Sequence, residues 1–142
     1  QKKKRLLRAA QFNENNEIEI WLATSGDIIT GHIMLSSETE HPALLAREAG
    51  EIIDLMVINT DRRQGWGARL LHHAEKRLKS LGFSCAGLTV EVTDHAYPAH
   101  LFYAEQDYRL DGSGLWHNNR PVKNNQTITI GDQTLITLIK AL

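Results

Sequence analysis

The stretch Glu51–Gly82, EIIDLMVINTDRRQGWGARLLHHAEKRLKSLG, decides the fold. Ile52, Ile53, Leu55, Val57 and Ile58 form an almost continuous apolar run broken by Asp54, the pattern of a strand covered on both faces. Arg62-Arg63-Gln64-Gly65-Trp66-Gly67-Ala68 reads as a turn. Leu70, Leu71, Ala74, Leu78 and Leu81 then recur at helical spacing, and Gly82 stands where a helix C-terminus favours glycine. The unit is strand, turn, helix. Backbone N–H groups at the start of such a helix suit an anion, and side-chain-free positions in the turn let a ligand approach the backbone.

Three phosphate-binding patterns compete for this turn. A P-loop needs Gly-x-x-x-x-Gly-Lys-Ser/Thr, and no lysine follows either glycine. A dinucleotide fingerprint needs a third glycine where this chain has Leu70, too bulky for close helix–strand packing. Arg62-x-x-Gly65-x-Gly67 matches a third pattern. With Leu55-x-Val57 before it and Ala68-x-Leu70-Leu71 after it, the stretch resembles the acyl-CoA pyrophosphate loop of the GNAT superfamily of N-acyltransferases. A second segment, Ala99–Tyr108 (AHLFYAEQDY), resembles that family's second motif, with Ala99 four residues before Tyr103 on a short helix and Tyr108 after a tight turn. Two positions depart from it. Ala96 replaces an asparagine that would bond the cofactor, and Asp107 replaces the turn glycine, a milder change because aspartate tolerates a left-handed conformation.

The resemblance covers Glu17–Leu142 and implies a GNAT fold: an α/β (α+β) domain whose mixed, mostly antiparallel sheet is flanked by helices. The family's opening strand and first helix are expected to be absent or clipped, and because the chain starts at Gln1, natural sequence is expected to precede it. Acetyl transfer from acetyl-CoA to an amine is the implied reaction, by direct attack on the thioester and with no metal. The acceptor would be a small-molecule amine or a protein N-terminus; the alternative is a non-catalytic acyl-CoA-binding sensor or interaction module. An alkyl amine of pKa near 10.4 forfeits about 3.4 pK units at pH 7, roughly 4.6 kcal/mol, so a base must take its proton. The leaving thiolate gains from a proton donor, and backbone amides should stabilise the oxyanion.

Tyr103 matches the family tyrosine that points at the thioester sulfur. Glu51 resembles the catalytic glutamate of histone-acetylating relatives, and Asp54 takes the acidic position just before Leu55 that other members carry. Their odd separation points them to opposite faces of a regular strand, so without a bulge only one lines the acceptor cleft. The base stays open between Glu51, Asp54 and a water chain. The resemblance further implies that Met56, Val57 and Ile58 pair with the pantetheine arm, that Arg62, Arg63, Gln64, Gly65, Trp66, Gly67 and Ala68 hold the pyrophosphate, and that Ala99 and Tyr103 also meet the cofactor. Trp116 and His117 are candidate acceptor contacts, Trp116 being equally suited to anchoring its loop.

The 142 residues suit one domain, and 16 Lys and Arg against 17 Asp and Glu carry no global field for nucleic acid. The lone Cys85 excludes an intrachain disulfide and suits the cytoplasm, and no apolar run is long enough to span a membrane. Lys2–Ala10 reads as the end of an amphipathic helix. Glu17–Ala23, alternating Ile18, Ile20 and Leu22 with Glu17, Glu19 and Trp21, reads as a half-buried strand hairpinned to Ile28–Leu35. Pro42–Arg47 suits one or two helical turns. Phe83–Val92 is a buried strand, Tyr108–Leu110 a short one, and Asp111–Gln133 a polar excursion with a small strand at Thr127–Ile130. Thr134–Leu142 is the final strand, and the final strands offer an edge on which a homodimer could pair. His72 and His73, being adjacent, cannot jointly chelate; His95 and His100 flank the second motif as further candidate bases.

Overall fold

The computed structural model describes residues 4–11 by their backbone, and residues 17–58 and 65–142 in full. The elements run β1 (Lys4–Gln11), β2 (Ile18–Ser25), β3 (Ile28–Ser36), α1 (Pro42–Ala46), β4 (Gly50–Val57), α2 (Trp66–Ser80), β5 (Cys85–Glu91), a 3-10 turn (Asp94–Ala96), α3 (Tyr97–Glu105), β6 (Arg109–His117), β7 (Arg120–Pro121) and β8 (Thr134–Ala141). The strands form one sheet in the order β1-β2-β3-β4-β5-β8-β6-β7. Among the described strands only β4 and β5 are parallel, as a strand–helix–strand crossover through α2 requires.

The core lies between the sheet and α2. Leu70, Leu71, Ala74 and Leu78 recur on one helical face and are fully buried against Ile33, Leu35, Ile52, Ala86 and Leu88. Trp66 joins them, with the Arg69 guanidinium 4.2 Å from its ring centre. On the opposite face of the sheet α1 covers β5. A Cβ on Gly87 would meet the Leu44 side chain, so this helix sits where only glycine leaves room.

Four expectations are corrected. The basic opening is a strand rather than the end of a helix: β1 pairs with β2 from Lys4↔Ser25 to Gln11↔Glu19, and ladder bonding outweighs the local helical pattern. β2 is also turned over. Glu19 and Ala23 are buried on the α2 face, where the expected inward set was Ile18, Ile20 and Leu22. Arg77 on α2 makes this tolerable, donating from Nε to both Glu19 oxygens at 3.0 Å and from its terminal nitrogen to Oε2 at 2.7 Å. Third, β6 runs on to His117 through the expected polar excursion. A bulge between Leu110 and Leu115 absorbs the polar residues, pinned by the Asp111 carboxylate, which accepts from the Ser113 N–H and hydroxyl at 2.9 and 2.7 Å. Fourth, Thr127–Ile130 forms no strand. At the end of α3, Asp107 does take the left-handed conformation, with φ of 70°.

Candidate active site

β4 decides the site, and its decisive feature is a register shift. Met34 of β3 pairs with Asp54 but the next residue, Leu35, pairs with Ile52, so Ile53 is an extra residue on β4. A bulge therefore breaks the alternation that would send Glu51 and Asp54 to opposite faces. Ile52 and Leu55 both turn to α2, while Glu51, Ile53 and Asp54 all turn to the other face. Cross-strand partners agree: Ser36 faces Glu51 and Met34 faces Asp54, while the core residue Ile33 faces Leu55.

Just beyond the bulge the sheet opens. β4 and β5 pair at Gly50↔Ala86 and Glu51↔Gly87 and then diverge. The gap is a cavity of about 280 Å³, lined by Ile53, Asp54 and Leu55 from β4, Thr89 from β5, and Ala99 and Tyr103 from α3. A second cavity, of about 550 Å³, opens on the face away from α2 and is lined by Glu51, Ser36, Glu38, Glu40 and His41. Ile53 and Thr89 border both cavities, so the two meet at the bulge.

Tyr103 is 8% exposed, its ring edge-on to Phe102 and Tyr108. Burial, and next the Asp54 charge, push its hydroxyl up to about 12, so it keeps its proton at neutral pH. Burial raises the Glu51 carboxyl, a hydrogen bond from Thr39 opposes this, and the Glu40 charge adds to it. Asp54 is engaged elsewhere, accepting from His32 Nε2 at 2.8 Å. The bulge thus turns both carboxylates to the face away from α2, Asp54, bound to an imidazole, lining the smaller cavity with Tyr103 and Glu51 lining the larger.

Gly65 caps α2 in the left-handed conformation, with φ of 80°, and leaves the space beside it open. Among the described residues no side chain caps this helix, and no acidic residue sits in its first turn, where the N–H groups have no intrahelical acceptor. Gly67 faces the Phe102 ring at 3.4 Å for an added Cβ, and Ala68 follows it in the first turn. Arg62, Arg63 and Gln64 lie outside the described residues. Met56 and Ile58 are exposed and Val57 is half-buried, along the part of β4 that has left β5.

Trp116 and His117 line neither cavity. Trp116 is buried behind the wall, its ring 4.7 Å from His41 and its Nε1 donating to Ser113 Oγ, while His117 Nδ1 bonds the Thr134 hydroxyl at 2.9 Å. Asn119, two residues on, does reach the larger cavity. His95 lines the smaller cavity but pairs with Glu91 at 2.8 Å, and His100 donates to the Glu91 carbonyl at 2.6 Å. Sequence reasoning missed Ser36, Glu38, Glu40 and His41. Their only signal was the unusual length of the connection between β3 and β4. Among the described residues, no group of three His, Cys, Asp or Glu is arranged to hold a metal ion, and no helix is long and apolar enough to cross a membrane.

The family model described as the acetyltransferase (GNAT) family matches residues 1–108. None of the curated proteins compared with the chain matches it. Among solved structures, a GNAT family acetyltransferase from Elizabethkingia anophelis with acetyl-CoA bound is 15% identical, with a TM-score of 0.71 over 98% of each chain. A Bacillus subtilis acetyltransferase in complex with CoA is 17% identical, with a TM-score of 0.69 over 99% of each chain. The ribosomal-protein-S18-alanine N-acetyltransferase of Escherichia coli is 15% identical, with a TM-score of 0.63 over 92% of this chain and 72% of that one. At these identities the likeness is one of fold.

Proposed function

The chain belongs to the GNAT acetyltransferase family, and from that premise we propose that it transfers an acetyl group from acetyl-CoA to a primary amine by direct attack on the thioester. The observation that carries this is the Ile53 bulge, which turns Asp54 to the gap in the sheet that the buried, protonated Tyr103 lines and Glu51 to the larger cavity that meets this gap at Ile53. CoA and acetyl-CoA in structurally similar proteins support the cosubstrate. The acceptor is a small-molecule amine or a protein N-terminus.

In this mechanism the open edge of β4 from Met56 to Ile58 pairs with the pantetheine arm as a neighbouring strand would. The start of α2, with Arg62, Arg63, Gln64, Gly65, Trp66, Gly67 and Ala68, holds the pyrophosphate through N–H groups and the helix dipole. Ala99 packs beside the thioester. The acceptor enters from the opposite face through the larger cavity, so amine and thioester meet at Ile53. Glu51 takes the ammonium proton, directly or through water. It is preferred over Asp54 because burial makes it the stronger base and leaves it without an imidazole partner.

Tyr103 serves the leaving sulfur. Complete proton transfer from a hydroxyl near 12 to a thiolate of about 8.5 would be uphill by roughly 3.5 units, about 5 kcal/mol. The tyrosine therefore acts chiefly by donating a hydrogen bond to the developing thiolate, and the proton released by the amine completes the thiol. The lone Cys85 agrees with a reducing cytoplasm.

Replacing Tyr103 by Phe tests the proposal. The expected result is a fall in kcat of about 10²-fold with the thermal shift given by CoA unchanged. An undiminished kcat removes Tyr103 from the chemistry. A CoA shift without transfer to any amine of a broad panel identifies a binding module instead. Gly65→Glu should abolish the CoA shift, and its persistence would move the pyrophosphate elsewhere.

A further inference from the structure

The gap beside Tyr103 carries charge of the wrong sign for a leaving thiolate. Asp54 from β4 and Glu91 from β5 both line it, and no described lysine or arginine does. Each of these carboxylates holds an imidazole instead: His32 Nε2 lies 2.8 Å from Asp54 Oδ2, and His95 Nε2 lies 2.8 Å from Glu91 Oε2. The Glu91 pair is local, four residues apart, and the Thr93 hydroxyl donates to the same carboxylate at 2.9 Å. The Asp54 pair is built by the sheet. His32 stands on β3 opposite Met56 and Asp54 stands on β4 opposite Met34, so the two meet diagonally across the ladder, on the face away from α2.

A carboxylate only accepts, so Nε2 carries the shared proton and donates it. Such a charge-assisted bond draws the negative charge of Asp54 toward β3. That charge bears on the chemistry of the gap, because next to burial it is what raises the Tyr103 hydroxyl. A phenol that holds its proton harder is a poorer donor to sulfur. As the C–S bond breaks, its electron pair goes to the sulfur and a thiolate forms in the same gap. An uncompensated Asp54 therefore opposes the step twice, through the phenol and directly. Stability gives the pair little purpose, since its side chains are 29% and 51% exposed and ion pairs so exposed contribute little.

Resting on the transferase reading of this site, we propose that His32 is a positioning residue for the leaving group: its Nε2–H holds the Asp54 carboxylate toward β3 and keeps that charge from opposing the thiolate formed beside Tyr103. His32 lines neither cavity, so it acts only through Asp54. Glu51 deals with the amine's proton on the other side of Ile53, and the bulge keeps the two tasks apart.

The test reads the thiolate itself and needs no acceptor. CoA is bound to the protein and its thiol is titrated by the ultraviolet absorbance of the thiolate, with desulfo-CoA as the blank. His32→Ala should raise the pKa of the bound thiol by about one unit, a roughly tenfold loss of thiolate at a given pH, with CoA affinity and Tm unchanged. His32→Gln keeps an N–H donor and should recover part of that shift. Asp54→Asn removes the charge to be held, so His32→Ala/Asp54→Asn should titrate like Asp54→Asn alone. With amines of the panel, His32→Ala should lower kcat about tenfold and leave KM for acetyl-CoA unchanged. A merely structural histidine would move Tm or CoA affinity and leave the thiol where it is. An unchanged thiol titration in His32→Ala, or an equal shift with and without Asp54, overturns the proposal. A His32-dependent thiol in a protein that acetylates none of the panel would sink the transferase reading alone. Acetylation with a thiol indifferent to His32 would sink the proposal alone, and failure to bind CoA would sink both.

Discussion

Carboxylates on the two faces of the sheet are treated in opposite ways. On the α2 face, Glu19 and Glu75 are both buried and both given cations. Arg77 takes Glu19 in a forked pair, while Lys140 reaches Glu75 at 3.0 Å and the Tyr108 hydroxyl donates to it at 2.8 Å. On the other face Glu51 is half-buried with a Thr39 hydrogen bond to favour its charge, and among the described residues Glu38, Glu40 and Glu51 enter no ion pair. A buried charge costs several kcal/mol unless it is compensated. The fold supplies cations to the two carboxylates buried in the core and leaves Glu51 to the cavity it lines.

The largest expected effect lies on the uncompensated face. Glu51→Gln should lower kcat/KM by about 10³-fold, roughly 4 kcal/mol, with CoA affinity unchanged. In wild type kcat/KM should rise with pH as Glu51 ionises, with an apparent pKa above 4.5, and the variant should lose that limb. A variant that keeps both rate and limb would hand the role of base to Asp54 or to water. Next comes the compensated face. Arg77→Met takes the guanidinium from Glu19 and should cost about 3 kcal/mol, seen as a fall in Tm of about 10 °C, with much of the loss recovered in Glu19→Gln/Arg77→Met. An additive double mutant would show that the pair is not coupled.

A smaller effect is expected at Tyr108→Phe, which removes one donor to Glu75 but leaves Lys140. Burial and the Glu75 charge hold this phenol far above its ordinary value, so what is lost is a hydrogen bond from a protonated hydroxyl, about 1–2 kcal/mol in urea unfolding. The smallest effect has the opposite sign. Because burial raises Glu51 above 4.5, the stability tied to its protonated form is complete below that value and is lost as pH rises through the raised one. Glutamine is uncharged throughout, so Glu51→Gln should be more stable than wild type at pH 7 by under about 1 kcal/mol, the gap closing toward pH 4. A variant less stable at pH 7 would mean that Glu51 is compensated after all.

Much of this molecule is legible in short segments. The glycine turn between an apolar strand and an amphipathic helix, and the tyrosine following Ala99 on a short helix, are local patterns. α2 and α3 stand where those patterns put them. The opening segment and β2 were misread for one reason. Both depend on partners distant in sequence: the free edge of β2 makes Lys4–Gln11 a strand, and an arginine 58 positions away lets Glu19 face the core. Trp116 was a candidate acceptor contact because its segment follows the short strand near where the family resemblance admits the acceptor, and equally a loop anchor; its ring is buried against His41 and its Nε1 bonds Ser113 Oγ.

By itself the sequence determined the family and the helix N-terminus offered to an anion, because each rests on residues a few positions apart whose geometry the backbone dictates. Tertiary structure alone decided where the acidic residues of Glu51–Gly82 point. Alternation along a strand sets Glu51 and Asp54 on opposite faces, and only the pairing of β4 with β3 inserts Ile53 as the extra residue that brings them to one. Pairing also gathers Glu38, Glu40 and His41 over Glu51. The placement of these carboxylates is therefore a property of register, which no single strand contains.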